Sequence, residues 1–371
     1  MKTHLRCVSL VYTVLLYISF LIGFSCSSCN STTSLDSSVQ NLKQTNCIDS
    51  TVPAGLLKNK IKGQSFVAPP DSFDASSLEE LKSIGADWIA VLPYAYFTTE
   101  QASIRTFAGG WWGEKPAGIK HTIQLAHQQG LKIMLKPQLW NHKTWIRALD
   151  FENKADWDQF HEAYTVFILE WAQMAKDQQA DLFCIGTELK NSVLKYPQYW
   201  RNLIQKIRNI YKGPLTYASN WDNFQQIKFW DYLDYIGTDA YFVLSDAVTP
   251  TVCALKNAWH PIVEQMAAFS KQWKKPILFT EFGYMSVDAC AHKAWELEAK
   301  RASLNSNQQA QANALQALFE SFAVVDWWQG GFMWKWYPNL NAAWGEGKRN
   351  KDYTPQGKKA EQLIRTMYSA S

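Results

Sequence analysis

The chain has 371 residues and a formal net charge of +4, and 47% of its residues are hydrophobic while 19% are charged. This composition excludes an intrinsically disordered chain, because it supplies enough apolar surface for a large core. The positive charge is small and dispersed. This excludes the clustered basic stripe of a nucleic-acid-binding protein, so we expect no nucleic-acid partner.

Aromatic residues give the strongest compositional bias, with 18 Trp, 16 Tyr and 19 Phe. Most of these rings fit a large aromatic core. A subset fits a second role, as flat platforms that stack against a ligand with apolar faces and polar edges, such as a sugar.

Residues 1–25 have the pattern of a signal peptide. Lys2 and Arg6 give a basic start, and a nearly uncharged apolar run follows as far as Phe24. The run is close to the minimum length that spans a bilayer, so a retained membrane anchor is the alternative. Cys26 comes directly after it and resembles the lipidated cysteine of bacterial lipoproteins. We therefore expect export to the periplasm, the outer membrane or the medium, with membrane contact only through Cys26.

Residues 26–57 are rich in Ser and Thr and lack apolar periodicity, which predicts a flexible linker. From residue 58 to residue 371, strand and helix patterns alternate eight times. This alternation predicts a single α/β domain, a closed (β/α)8 TIM barrel. An open doubly wound sheet is the rival fold, but no glycine-rich phosphate loop follows the first strand. We also predict a helix over residues 224–232, and a last helix with Thr354 as its N-cap.

Two glutamates stand where apolar strand patterns end. Glu188 follows the predicted fourth strand, and Glu281 follows the seventh. Each alone would fit a structural ion pair, but in a barrel the carboxyl ends of the strands meet at one functional face. A buried charge is costly there unless it is used. Two carboxyl groups facing each other across a barrel mouth are what glycoside hydrolysis needs.

Short motifs along residues 58–369 resemble glycoside hydrolase family 113, the β-1,4-mannanases of clan A. The motifs are Leu-Lys-Pro-Gln-Leu-Trp (135–140), Gly-Thr-Glu-Leu (186–189), Ala-Ser-Asn-Trp-Asp (218–222), Gly-Thr-Asp-Ala-Tyr (237–241), Phe-Thr-Glu-Phe-Gly (279–283), Gly-Gly-Phe-Met-Trp (330–334) and Thr-Pro-Gln-Gly-Lys (354–358). The resemblance implies a retaining hydrolase with Glu188 as the acid/base and Glu281 as the nucleophile. It implies no cofactor.

The same resemblance suggests roles for residues that bind substrate. Tyr241 resembles the clan's tyrosine that hydrogen-bonds the nucleophile, and Trp334 resembles its platform under the reacting sugar. A core ring is the alternative for both. Thr187 stands where most clan members carry an asparagine that holds the sugar 2-hydroxyl, and Asn220 is a candidate to take over that contact.

Further candidates for substrate binding lie near other strand ends. Lys136 and Gln138 follow the third strand as polar contacts, although Lys136 equally fits a buried ion pair. Trp112, Trp140 and Trp221 lie in predicted loops that could line flanking subsites, and packing is the alternative role for these rings.

Cys253 and Cys290 follow strands six and seven, so we expect them on adjacent loops as a candidate disulfide at the rim. Cysteine connectivity cannot be read from a sequence. His121 and His127 lie on one predicted helix but are six residues apart, the wrong spacing for a shared metal, and we expect no metal site.

These patterns predict an exported, monomeric retaining glycoside hydrolase that cleaves β-1,4-mannosidic bonds in mannan, glucomannan or mannooligosaccharides. Its expected partner is therefore a β-linked polysaccharide or oligosaccharide. Two alternatives stay open. One is another clan A β-glycanase, acting on β-glucan or galactan. The other is a barrel that binds glycan without cleaving it, although a binder has no use for a paired acid and nucleophile.

Overall fold

A computed structural model describes residues 53–99, 102–106, 110–141, 143–338 and 349–369. Its strands are β1 (Ile61–Phe66), β2 (Trp88–Val91), β3 (Tyr94–Thr98), β4 (Ser103–Thr106), β5 (Lys132–Leu135), β6 (Gln138–Trp140), β7 (Leu182–Thr187), β8 (Leu215–Asn220), β9 (Ile236–Asp239), β10 (Ile277–Phe282) and β11 (Trp328–Trp336). Eight of them form a closed barrel in the order β1-β2-β5-β7-β8-β9-β10-β11, and the pairing of β1 with β11 closes it. All pairs in the barrel are parallel. The predicted (β/α)8 TIM barrel is confirmed.

The three remaining strands form a small sheet in the order β4-β3-β6. Strands β3 and β6 follow β2 and β5 after only a few residues, so this sheet extends the barrel wall beyond the carboxyl ends of those two strands.

The helices are α1 (Ser76–Ser83), α2 (Pro116–Gln128), α3 (Lys154–Asp177), α4 (Lys190–Lys195), α5 (Pro197–Ile210), α6 (Val252–Trp273), α7 (Ala294–Lys300), α8 (Gln308–Phe322) and α9 (Lys359–Tyr368). The two longest begin at side-chain caps. Asn153 accepts a hydrogen bond from the backbone of Asp156 at the start of α3, and Thr251 accepts one from Ala254 at the start of α6.

Two predicted helix features are wrong. Residues 224–232 form two short 3₁₀ turns instead of a helix. There the Trp230 indole donates to the Phe224 carbonyl, and both rings are buried. The last helix begins at Lys359, because Gly357 has φ +70°, a left-handed conformation that cannot continue a right-handed helix back to Thr354.

The core has two parts. Inside the barrel, small and medium apolar side chains such as Ala90, Met134 and Leu278 pack together. Between the strands and helices lies a larger layer that is rich in aromatic rings. Among the described residues, six tryptophans are fully buried, namely Trp157, Trp200, Trp230, Trp259, Trp328 and Trp336. Burying one such side chain stabilises a fold by roughly 2–3 kcal/mol. Many of the aromatic residues therefore stabilise the core.

The predicted signal peptide and linker fall largely outside the described residues. The last five residues of the predicted linker are described, and residues 55 and 57 among them are hydrogen-bonded to the end of α9. Leu57 is buried, its amide donates to the Met367 carbonyl, and the Gly55 amide donates to the Thr366 carbonyl. Within the ranges given above, no helix is long and apolar enough to cross a membrane.

The candidate disulfide between Cys253 and Cys290 does not form. Cys290 is 2% exposed, packs in the core and carries a free thiol. Cys253 lies half-buried in the first turn of α6 and is disulfide-bonded.

Candidate active site

Both strand-end glutamates line one cleft at the carboxyl ends of the barrel strands. The cleft has a volume of about 590 Å³. Its other polar and aromatic lining residues include Tyr94, Gln138, Trp140, Trp145, Thr187, Asn220, Trp221, Asp239, Tyr241, Trp295 and Trp334. A second cavity of about 460 Å³ adjoins it and shares Tyr94, Trp140 and Trp334, so the depression continues beyond the two glutamates. This shape fits a chain of sugar units better than a single small molecule.

Glu281 lies in β10 with 8% of its surface exposed. Its Oε1 accepts hydrogen bonds from Lys136 Nζ at 2.5 Å and Gln138 Nε2 at 3.0 Å, and its Oε2 accepts one from the Tyr241 hydroxyl at 3.0 Å. All three groups act as donors, so both carboxylate oxygens serve as acceptors. Such an arrangement fits an ionised carboxylate held in one orientation.

Glu188 follows β7 directly and is 9% exposed. Its backbone has φ +54°, an uncommon conformation for a residue other than glycine, and its amide donates to the Ala218 carbonyl of β8 at 2.8 Å. Its Oε2 accepts a hydrogen bond from Trp145 Nε1 at 2.8 Å. Burial, with the nearby charges of Asp239 and Glu281, raises the pKa of Glu188 well above its usual value.

The two glutamates therefore have contrasting environments. Glu281 faces an ammonium group and two neutral donors, whereas Glu188 is buried near other carboxylates. One carboxyl group is arranged to be ionised and the other to keep its proton. This is the division that acid-assisted nucleophilic substitution at a sugar requires.

Lys136 is fully buried below the cleft and does not reach it. It forms ion pairs with Glu281 and with Asp239 Oδ1, the latter at 3.3 Å. Burial lowers the pKa of Lys136, but the two carboxylates outweigh this effect and the net result is a raised pKa. The expected contact of Lys136 with substrate is wrong, because its side chain is covered, and the alternative of a buried ion pair is what the structure shows.

Thr187 and Asn220 line the cleft with buried oxygens that lack partners. Within the described ranges, neither Thr187 Oγ1 nor Asn220 Oδ1 has a hydrogen-bond partner. A buried polar atom without a partner is costly, and a ligand hydroxyl could satisfy each one. Both atoms lie in the cleft that holds Glu188, where contacts with a sugar hydroxyl were expected.

The aromatic candidates separate into two groups. Trp140, Trp221 and Trp334 line the cleft, and Trp140 is 43% exposed. Trp221 stacks nearly parallel on Trp295, with ring centroids 6.2 Å apart. Trp112 was expected near substrate, but its ring packs edge-on against Phe73 and His121 at the base of the loop, and the residue lies outside both cavities.

Several cleft residues were missed in the sequence, among them Trp295 and Asp239. Trp295 lies on α7, a short helix inserted after β10, and no pattern distinguishes it from a packing residue. Asp239 is a charged residue at the end of the buried strand β9, the same strand-end position that identified the two glutamates. That signal was present in the motif at 237–241 and could have found it.

The histidines make ordinary contacts. His121 Nε2 lies 2.9 Å from the Phe73 carbonyl, and His127 pairs with Asp181 on the outer surface. In the part of the chain that the structure describes, no cluster of three or more histidine, cysteine or acidic side chains is arranged to hold a metal ion.

The sequence pattern of Glycoside Hydrolase Family 113 matches residues 71–358, more than three quarters of the chain. The chain belongs to this family. The family-113 match spans from the loop after β1 to the turn before α9, so it includes every residue of the cleft named above. The resemblance of the short motifs is thereby confirmed at the level of the family.

Solved structures of family 113 enzymes share the fold. One described as a GH113 β-1,4-mannanase complex is 26% identical, with a TM-score of 0.71, over 84% of this chain and 100% of that chain. A second is the GH113 β-mannanase AaManA from Alicyclobacillus acidocaldarius, which is 22% identical with a TM-score of 0.73, over 85% of this chain and 99% of that chain.

A more distant similarity concerns the barrel alone. The β-glucuronidase from Ruminococcus gnavus is 15% identical with a TM-score of 0.57, over 84% of this chain and 50% of that chain. At that identity it indicates a shared fold only. No curated protein sequence matches the chain significantly.

Proposed function

We propose that this family 113 glycoside hydrolase cleaves β-1,4-mannosidic bonds in mannan, glucomannan or mannooligosaccharides, with retention of configuration. The observation that carries the proposal is the contrast between the two glutamates of one cleft. Glu281 is held by three donors, and Glu188 is buried near negative charge with a raised pKa.

The proposed reaction is a double displacement. In the first step Glu281 forms a bond to the anomeric carbon. The bond to the leaving oxygen breaks, and that oxygen takes the proton of Glu188. In the second step the ionised Glu188 removes a proton from water, the water oxygen attacks the anomeric carbon, and the bond to Glu281 breaks. The catalyst ends with Glu188 protonated and Glu281 ionised, as it began.

Tyr241 and Trp334 fit supporting roles in this reaction. The Tyr241 hydroxyl donates to Glu281 Oε2, which orients the carboxylate for attack. Trp334 lines both the main cleft and the second cavity, which supports a role as the platform beneath the reacting sugar. Among the described residues, Thr187 Oγ1 and Asn220 Oδ1 have no hydrogen-bond partner, which supports a role in holding sugar hydroxyls near Glu188.

The family and its β-1,4-mannanase structures support mannan as the substrate class. The extended cleft, with tryptophans at both ends, supports a polymer or oligomer rather than a monosaccharide. Another β-glycan is the second candidate, because Thr187 replaces the clan's asparagine at the position that reads the sugar 2-hydroxyl.

Reducing-sugar release tests the proposal on mannan, glucomannan, carboxymethyl-cellulose, galactan and xylan. We expect the wild-type protein to cleave mannan or glucomannan, and the folded Glu281→Gln variant to lose more than about 10³-fold of that activity. Proton NMR of the first product should show the β-anomer. Release of the α-anomer first would disprove retention, and cleavage of another glycan would discard mannan while keeping the mechanism. Glycan binding without cleavage would favour a non-catalytic barrel.

The role of each glutamate has a separate test. Azide should rescue Glu281→Ala by giving an α-glycosyl azide, because it attacks from the space left by the missing nucleophile. It should rescue Glu188→Ala by giving a β-glycosyl azide, because it then attacks the covalent intermediate. The opposite products would exchange the two roles.

A further inference from the structure

The floor of the cleft holds a carboxylate that double displacement does not use. Asp239 ends β9 and is 1% exposed. Its Oδ1 accepts hydrogen bonds from Thr280 Oγ1 at 2.7 Å and from Lys136 Nζ at 3.3 Å. Its Oδ2 is buried and has no hydrogen-bond partner among the described residues. Burying a carboxylate oxygen without a hydrogen-bond partner costs free energy, which indicates that Asp239 has a function.

Two carboxylates share one cation at this point. Of the residues that the structure describes, Lys136 alone lies within ion-pair distance of Asp239 or Glu281. An ammonium group with no exposed surface needs nearby negative charge to stay ionised. When Glu281 becomes an ester in the covalent intermediate it loses its charge, and Asp239 is then the carboxylate that remains paired with Lys136.

Asp239 also acts on the acid/base through space. Burial has the largest effect on the pKa of Glu188, and the charge of Asp239 comes next, ahead of that of Glu281. Burial likewise raises the pKa of Asp239 itself, with Lys136 opposing the rise and Glu281 adding to it. The titratable groups around Asp239 are Lys136, Glu281, Glu188, Cys184, Tyr217 and Tyr241.

We propose that Asp239 is a positioning residue for hydrolysis: it fixes Lys136 against Glu281, and its negative charge keeps the proton on Glu188 until the leaving oxygen takes it. This inference rests on the proposed hydrolase function, since it assigns Asp239 to the same reaction. Asp239 does not touch the sugar in this scheme and acts only through Lys136, Glu188 and Glu281.

The direct test is a titration of Glu188 that needs no substrate. Protein labelled with ¹³C at the glutamate side-chain carboxyl is titrated by NMR, and Glu188→Gln identifies the Glu188 signal. In Asp239→Asn, which keeps the side-chain shape, Glu188 should lose its proton at a lower pH than in wild type. In Lys136→Met it should lose its proton at a higher pH, because Lys136 lowers the pKa of Glu188.

The matched control is Thr238→Val. Thr238 precedes Asp239 in β9, is buried, and its hydroxyl has no hydrogen-bond partner in the described ranges. Its replacement should leave the Glu188 titration unchanged. Thermal unfolding of each variant confirms that the fold is retained.

Activity gives the second measurement. On a mannooligosaccharide, kcat of Asp239→Asn should fall by roughly tenfold or more while KM stays nearly constant, because the loss concerns positioning at the reacting centre. The alkaline limb of its pH profile should move to lower pH. If kcat falls but the alkaline limb of the pH profile does not move, Asp239 has only a structural role and the proposal is overturned.

The NMR outcomes separate the two proposals. The role of Asp239 is overturned if Glu188 titrates at the same pH in folded Asp239→Asn as in wild type. It is also overturned if the Glu188 titration shifts in the same direction in Asp239→Asn and Lys136→Met. Opposite shifts in a protein that cleaves no glycan would support the electrostatic coupling and defeat the proposed hydrolase function. If Asp239→Asn or Lys136→Met does not fold, the folded variant still tests the role of Asp239, through the direction in which its Glu188 titration shifts.

Discussion

Trp145 contacts the proposed acid/base from a loop above the barrel, and its removal has a predictable effect. Its indole hydrogen bond to Glu188 favours the ionised carboxylate and so lowers the pKa of Glu188. In Trp145→Phe we expect the alkaline limb of the activity profile to move to higher pH. We expect kcat to fall about tenfold, since a charge-assisted hydrogen bond that helps the second step is lost. Steady-state rates between pH 4 and 9 provide the measurement.

The control for this prediction is Trp221→Phe, which changes the stacking on Trp295 but makes no hydrogen bond to Glu188. It should change KM and leave the alkaline limb in place. If the alkaline limb of the pH profile also stays in place in Trp145→Phe, the indole does not influence proton loss from Glu188.

At the scale of single residues, sequence position predicts which residues end a strand but not what covers them. Glu188 and Glu281 follow apolar runs, and the parallel barrel necessarily brings such positions to one face. Lys136 also follows a strand, yet Asp239 and Glu281 hold its ammonium group beneath the cleft. That outcome depends on side chains from strands about 100 residues or more away, which no local pattern contains.

At the scale of secondary-structure elements, the side chain of His161 on α3 contacts residues of α4 and α5. Its Nε2 lies 2.9 Å from Ser192 Oγ of α4, and its ring stacks on Tyr199 of α5 at 3.9 Å. Burial lowers the pKa of His161 to about 4. Because the unfolded chain binds this proton near pH 6.5, the stabilising effect is complete above pH 6.5 and is lost as the pH falls from 6.5 to about 4.

We therefore predict that His161 contributes up to about 3 kcal/mol to the loss of unfolding free energy between pH 6.5 and 4. His161→Gln keeps a donor for Ser192 and should give a flatter dependence of stability on pH. Urea unfolding at pH 7, 5.5 and 4 measures it. The control is His260→Gln, at a partly exposed histidine on α6, which tests whether replacing any histidine alters the slope. Parallel curves for wild type and His161→Gln would contradict the prediction.

Elements with strong periodicity are predicted well, and elements defined by tertiary contacts are not. The apolar runs of the eight barrel strands and the spacing of rings in α3 are local signals, and both appear where expected. Residues 224–232 have a helix-like apolar spacing, but the buried rings of Phe224 and Trp230 hold them as two short turns on the barrel wall. The small sheet of β3, β4 and β6 likewise depends on pairing between distant segments.

For the whole molecule, the leader predicts a lipid anchor at Cys26. Wild type produced with residues 1–25 in a bacterial host should incorporate labelled palmitate and enter the detergent phase of a Triton X-114 partition. Cys26→Ser should do neither, because stable anchoring requires the acyl chains. Cys29→Ser is the control and should behave as wild type. Wild-type protein that stays in the aqueous phase would exclude the anchor.

The hydrogen bonds that hold the chain just before β1 determine the face of the barrel to which such an anchor would attach. Residues 55 and 57 are hydrogen-bonded to the end of α9 and lead straight into the amino end of β1, on the face opposite the cleft. A tether that begins at Cys26 would therefore hold the enzyme by its closed underside. The attachment would not cover the open mouth, so polysaccharide could still reach the cleft. By the same geometry, immobilising the protein through its amino terminus should leave the cleft accessible.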